Sequence, residues 1–252
     1  MKFFVLPLGN CDNDKGLVFT PGQGDGLRIQ SPIWAGLIQA DHLNILIDTG
    51  MHPDHIANPK STFASTYYED LICPVMSEQD FILNQFEKID IKPEYIDFVI
   101  NTNLHFDHAG CNAFFPKATF ILYKEHFQYA IKNPEYFPPR YFLIPGLHYD
   151  LIEGDCHLIP GVEMIKCSGH VPGLGCIIIR LENSGTIVIA GDAISIRENM
   201  DNDQWGASWD PILARNSAAR LSAIAEKEFG QIFFGHDSEW WKTVKQAPQY
   251  YD

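Results

Sequence analysis

The fold of this chain is constrained most by His105-Phe106-Asp107-His108, which packs two imidazoles and a carboxylate into four residues directly after the apolar run Tyr95-Ile96-Asp97-Phe98-Val99-Ile100. A strand ending in such a cluster delivers hard and borderline ligands to one point at a sheet edge, a mixture that zinc and similar metals favour. Alone, the cluster fits a capping or surface feature as well. Three further features weigh against that: Gly169-His170, Gly191-Asp192 and Gly235-His236. They follow the runs Val162-Glu163-Met164-Ile165, Ile187-Val188-Ile189-Ala190 and Ile232-Phe233-Phe234. Short apolar runs bounded by glycine read as buried strands. Taken singly, each polar residue is a strand end satisfied by water. Four in this order point to ligands converging on one rim of a layered α/β fold.

The rest of the chain is organised around those runs. The 252 residues fall within the range of one large α/β domain, and no repeat, low-complexity tract or linker divides 1–252. A hydrophobic content of 46%, with 13% aromatic residues, excludes a disordered chain. Met1 to Pro7 reads as a first strand rather than a leader, because its apolar run is short and no small-residue cleavage site follows. Ile33 to Ala40 and Leu43 to Asp48 read as strands joined through Asp41-His42. Ser77, with Asp80 three residues on, caps a helix expected to run to about Ile89. Asp150 to Ala190 is strand-rich, and Asp210-Pro211 opens the last long helix, which Gly230 closes.

Two loops are candidates for shaping a pocket. Gly16 to Ile29 is glycine-rich but lacks the Gly-Lys-Ser/Thr of a phosphate loop. Asn133 to Tyr149 holds Tyr136, Phe137, Tyr141 and Phe142, which suit either a lid over an acyl chain or the filling of the core. Trp240-Trp241 reads as packing the tail onto the core, and His42, His52, His55, His126 and His157 as surface or structural residues.

Charge and cysteine content narrow the partners. A net charge of −14, from 18 basic and 32 acidic residues, presents a repulsive surface to DNA or RNA. No stretch approaches the roughly 20 apolar residues of a membrane span. Cys11, Cys73, Cys111, Cys156, Cys167 and Cys176 are scattered without a Cys-x-x-Cys pair and read as free thiols in a reducing cytoplasm. The expected partner is a small molecule, neither nucleic acid nor membrane, and a homodimer is allowed.

Five segments together resemble the metallo-β-lactamase superfamily, and within it the N-acyl-homoserine lactonase branch. They are Leu46-Ile47-Asp48-Thr49-Gly50-Met51, Leu104-His105-Phe106-Asp107-His108-Ala109-Gly110, Ile152-Glu153-Gly154-Asp155, Gly191-Asp192-Ala193 and Phe233-Phe234-Gly235-His236-Asp237. The resemblance implies a four-layer αββα sandwich and two zinc sites. His105 and His170 fall on one ion, Asp107, His108 and His236 on the other, and Asp192 bridges them. Asp48 resembles the family's outer carboxylate, which orients a ligand by accepting a hydrogen bond.

Two positions depart from the family pattern. The motif normally begins with histidine two residues before His105, where this chain has Asn103. An amide oxygen is a weaker, uncharged ligand, so Asn103 is a marginal one and the second site is expected to fill first. Three residues after Asp192 the lactonase branch carries tyrosine, and this chain carries Ser195, with the same hydroxyl chemistry and a shorter reach.

The implied reaction is hydrolytic opening of a lactone by metal-activated water, with Asp107 steering the nucleophile's proton, Asp192 holding the metals and Ser195 at the leaving oxygen. The alternatives are a metal-dependent hydrolase of another ester, a thioester or an amide, and a catalytically impaired ligand-binding relative.

Overall fold

The computed structural model describes residues 1–252. The first sheet takes β1 (Lys2–Asp14), β2 (Arg28–Ala40), β3 (Leu43–Ile47), β4 (Ile72–Val75), β5 (Phe98–Ile100), β6 (Thr119–Tyr123) and β7 (His148–Ile152). The second takes β8 (Cys156–Ile159), β9 (Val162–Lys166), β10 (Gly175–Leu181), β11 (Gly185–Gly191) and β12 (Gln231–Phe234), while β13 (Tyr250–Tyr251) returns to the first. Between them lie α1 (Lys15–Val18), α2 (Asp54–Ala57), α3 (Ile82–Glu87), α4 (Phe106–Ala109), α5 (Lys124–Lys132), α6 (Arg197–Asp201), α7 (Pro211–Lys227) and α8 (Ser238–Trp241).

The first sheet runs β13-β1-β2-β3-β5-β6-β7, with β4 on the far half of β1, and the second runs β12-β11-β10-β9-β8. Strands buried on both faces lose the polar alternation of a solvated sheet. Accordingly Ile33 to Leu37 of β2 and Gly175 to Ile179 of β10 are buried without a break. Phe3, Val5, Ile38, Ile45 and Ile100 of one sheet meet Met164, Ile177, Ile187 and Phe233 of the other in the inner core. The outer faces carry helices: α3 lies on β1, α5 on β6 and β7, and α7 on β11 and β12. Helix, sheet, sheet, helix is the expected four-layer order.

Local chemistry explains the boundaries. The β2–β3 hairpin turns through Asp41 at φ +50°, a left-handed conformation that aspartate tolerates. The Asp210 side chain accepts from the N–H groups of Ile212 and Leu213, and Pro211 occupies the first turn of α7. Ala214, Ala218, Leu221 and Ala225 form the buried stripe of that helix, and the small alanines bring it close to β11. The helix expected from Ser77 is divided. Ser77 and Asp80 cap each other as anticipated, but extended Phe81 separates a single 3-10 turn, Glu78–Asp80, from α3. Trp240 packs against Trp34, Phe233 and Phe234, as expected of the tail.

Candidate metal centre

Five strand ends meet at one edge of the sandwich. β3 and β5 run parallel, as do β11 and β12, and β9 shares the direction of β11 because each is antiparallel to β10. Each sheet therefore delivers these residues at one end. Asp48 after β3 and Asn103 to His108 after β5 come from the first, His170 after β9, Asp192 after β11 and His236 after β12 from the second, and the two ends meet. His105 is the N-cap of α4, and that single helical turn presents Asp107 and His108 together.

The residues form two groups sharing one carboxylate. In the first, His170 Nε2 lies 3.3 Å from His105 Nδ1 and 3.3 Å from Asp192 Oδ2, with His105 Nδ1 4.0 Å from the same oxygen. In the second, Asp107 Oδ2 stands 3.6 Å from His108 Nε2 and 3.7 Å from His236 Nε2. Asp192 reaches this group too, with His108 Nε2 3.0 Å from Oδ2 and His236 Nε2 2.9 Å from Oδ1. Ligands about 2.0–2.1 Å from a tetrahedral zinc ion stand about 3.3 Å apart, close to these separations.

Hydrogen bonds behind the rings fix which nitrogen faces inward. His108 Nδ1 donates to Asp48 Oδ2 at 2.8 Å, and His236 Nδ1 donates to the Pro32 carbonyl at 3.0 Å. Each Nε2 is left facing the carboxylates, as the atom the ring would offer a metal. Asp48 also accepts from the backbone N–H and the hydroxyl of Thr102, so its carboxylate is anchored before it orients His108. His108 Nε2 and Asp192 Oδ1 are buried without a hydrogen-bond partner. Two such atoms at the meeting point of four imidazoles and two carboxylates leave a place that a divalent cation would satisfy, so the donor set fits a borderline metal.

The electrostatics follow the same division. Burial pushes the His105 and His170 rings below their ordinary pKa, His105 well below it, with the neighbouring His170 adding to the effect. Burial also opposes charge on His108 and His236, but the negative charge of Asp192 and Asp107 outweighs it and raises both. Burial opposes charge on Asp192, and the surrounding histidines outweigh that and hold its carboxyl well below the usual range.

Asn103 differs from its expected role as a marginal ligand. Its side-chain oxygen accepts the backbone N–H of His105 at 2.8 Å, and its amide nitrogen donates to Asp192 Oδ2 at 2.8 Å. The reverse orientation would set donor against donor and oxygen against carboxylate. Asn103 thus offers the shared carboxylate a hydrogen rather than offering a metal an oxygen. Ser195 lies at the cavity wall, and its carbonyl accepts the N–H of His236 at 2.7 Å, tying that ligand loop to the turn after Asp192.

A cavity of about 450 Å³ opens above the two groups, with His105, Asp107, His170, Asp192, Ser195 and His236 in its lining. Its apolar wall comes from Leu17, Phe63, Tyr67, Tyr68, Tyr136 and Trp209. The aromatic segment after α5 divides: Tyr136 and Phe137 line the cavity, while Tyr141 and Phe142 are buried in the core. Cys11, Tyr67, Tyr68 and Trp209 were not anticipated at the site. They come from stretches without ligand-type motifs, and only the folded chain brings them together.

Comparison with known proteins agrees with this geometry. The profile of the metallo-beta-lactamase superfamily matches residues 28–236. An N-acyl homoserine lactonase of Bacillus thuringiensis is 34% identical over 252 residues, covering 99% of this chain and 98% of that protein. The N-acyl homoserine lactonase AttM of Rhizobium radiobacter is 26% identical, covering 91% and 90%. The solved structure of an N-acyl homoserine lactone hydrolase, with the product N-hexanoyl-L-homoserine bound at its catalytic metal center, superimposes at TM-score 0.92 with 34% identity, covering 99% and 98%. A Bacillus thuringiensis variant with N-decanoyl-L-homoserine bound at its active site gives TM-score 0.92 and 33% identity, covering 99% and 98%.

Proposed function

This chain belongs to the metallo-β-lactamase superfamily, and we propose that it hydrolyses the ring ester of N-acyl homoserine lactones to the open-chain acyl-homoserine. The observation that carries this reading is two donor groups, joined through Asp192, on the floor of an apolar cavity large enough for a small-molecule ligand. Similar solved structures at 33–34% identity hold N-hexanoyl-L-homoserine at a catalytic metal center and N-decanoyl-L-homoserine at an active site.

His105, His170 and Asp192 would hold one zinc ion, and Asp107, His108 and His236, with Asp192, the other. Bound zinc supplies Lewis acidity toward the lactone carbonyl and acidifies water near neutral pH. The rest falls to the chain's own side chains. Asp107 faces the cavity beside the second group, where its carboxylate can take a proton from the attacking water and pass it on to the leaving ring oxygen. Ser195 lines the cavity, and its hydroxyl would serve that leaving oxygen through a bridging water, because the side chain is short. Leu17, Phe63, Tyr67 and Trp209 receive the acyl chain and exclude solvent from it.

The two groups are unequal. The second has three of its own ligands, with His108 and His236 oriented from behind, and it is the more deeply buried. The first has two imidazoles about a quarter exposed and depends on Asp192 for its carboxylate, while Asn103 holds Asp192 instead of supplying a third imidazole. The second group therefore fills first. Six free thiols suit a reducing cytoplasm as the working compartment, and no helix is long and apolar enough to cross a membrane.

The test is a substrate panel read by mass spectrometry with zinc-loaded protein. It sets butanoyl- to dodecanoyl-homoserine lactones beside a thioester and a β-lactam. Ring opening of the lactones, favouring long acyl chains, is expected. Turnover of the thioester or β-lactam with the lactones untouched would overturn the reading.

A further inference from the structure

His126 lies outside both donor groups, at the third residue of α5, and its ring is completely buried. Its Nε2 accepts the backbone N–H of Leu104 at 2.9 Å, and its Nδ1 donates to the Pro172 carbonyl at 3.0 Å. Leu104 immediately precedes His105, and Pro172 follows His170 by two residues. A third route runs through Phe137, whose ring meets His126 edge-on at 5.2 Å and stacks on the His105 imidazole at 4.6 Å and 13°. A single imidazole thus touches both loops that carry the histidines of the first group.

Two details separate this from ordinary packing. Burial holds the ring's pKa down at about 3, against a smaller upward pull from the Pro172 carbonyl, so the ring is neutral with hydrogen on Nδ1 and a lone pair on Nε2. Both nitrogens end on main-chain groups that an apolar side chain of the same size would leave without partners. The His170 loop is also shaped around the start of α5. Gly173 has φ +66°, and a Cβ there would come within 2.7 Å of the His126 backbone nitrogen.

We propose that His126 is a positioning residue for the His105–His170–Asp192 group, a neutral strut that fixes the Leu104–His105 segment relative to the His170–Pro172 segment. Through them it sets the 3.3 Å approach of His105 Nδ1 to His170 Nε2. The proposal rests on the reading of that group as a metal holder, and it is independent of the substrate. Ligands reached through an outer layer of hydrogen bonds typically lose about 10- to 100-fold in metal affinity when that layer is removed.

The experiment is a cobalt(II) titration, followed by visible absorption, of wild-type protein, His126→Phe and His126→Gln. Phenylalanine keeps the bulk and the contact with Phe137 but neither hydrogen bond, whereas glutamine carries one acceptor and one donor. Wild type is expected to take two ions in two steps. His126→Phe should keep the tight step and weaken the other by about 10-fold or more, and His126→Gln should recover most of it. Two unchanged steps in His126→Phe, or equal weakening of both, would overturn the proposal. Binding of a single ion by wild type would remove its premise and overturn it too, whereas two ions bound without lactone hydrolysis would count against the substrate alone. Should His126→Phe not fold, the ¹⁵N signals of the wild-type ring decide. Hydrogen on Nδ1 supports the strut, and hydrogen on Nε2 overturns it.

Discussion

At Asn103 the side chain has two hydrogen bonds to make and both are directional, to the His105 N–H and to Asp192 Oδ2. Asn103→His replaces that donor with an imidazole beside the first group, and a second metal ion should then bind at least about 10-fold more tightly. Zinc content after dialysis against a metal buffer checks this, and unchanged stoichiometry would mean that Asn103 does not limit the site. His236→Ala removes one of three ligands of the second group. It should lower zinc affinity there by about 100-fold or more while the fold, read by circular dichroism, persists. The positions of His105, Asp107, His108, His170, Asp192 and His236 were legible from the sequence because each follows a strand-like run. The role of Asn103 was not, since the orientation of an amide is set by partners at positions 105 and 192. His126 was legible only as a histidine, because nothing in its own helix reveals that its ring bridges two distant loops.

Element by element, the start of α7 holds the His170 loop. The N–H of Asp210 donates to the Gly169 carbonyl, the N–H of Trp209 to the His170 carbonyl, and the Ser217 hydroxyl to the Ser168 carbonyl. Gly169 sits against the helix at φ +150°, where a Cβ would come within 2.3 Å of the Ala214 backbone. Gly169→Ala should therefore destabilise the protein by about 2 kcal/mol or more in urea unfolding and weaken metal at the first group together with it. Asp210→Ala removes a cap and should cost about 1 kcal/mol with a smaller effect on metal. Equal losses from the two variants would argue against close packing as the cause. The sequence showed where α7 begins because the Asp-Pro cap is local chemistry. The break at Phe81 was hidden, because helical spacing of apolar residues continues across it. The wall built from Tyr67 and Tyr68 was hidden too, since that stretch carries no periodic pattern.

Across the molecule, buried histidines make both stability and metal binding depend on pH. Burial lowers His55 to about 4 and His126 to about 3, and a ring with a lowered folded pKa destabilises the fold as pH falls below its unfolded value of about 6.5. Each such ring adds a slope of up to about 1.4 kcal/mol per pH unit. His108 and His236 are raised in the metal-free chain, so their contribution is full below about pH 6.5 and is lost as pH rises through their folded values. Metal-free protein should therefore be most stable near pH 6.5. Added zinc should stabilise it more at pH 8.5 than at pH 5.5, because the ion competes with protons for those rings. Urea titrations at three pH values with and without zinc check both signs, and a pH-independent increment from zinc would contradict them.

Acid release from N-decanoyl-homoserine lactone in a pH-stat tests whether the side chains at these strand ends open lactones only with metal in place. Chelator-stripped protein is assayed during stepwise return of zinc. Stripped protein should release no acid, and recovery should follow the zinc returned per chain. Release at full rate from the stripped protein, or none with the sites filled, would contradict metal-dependent lactone opening.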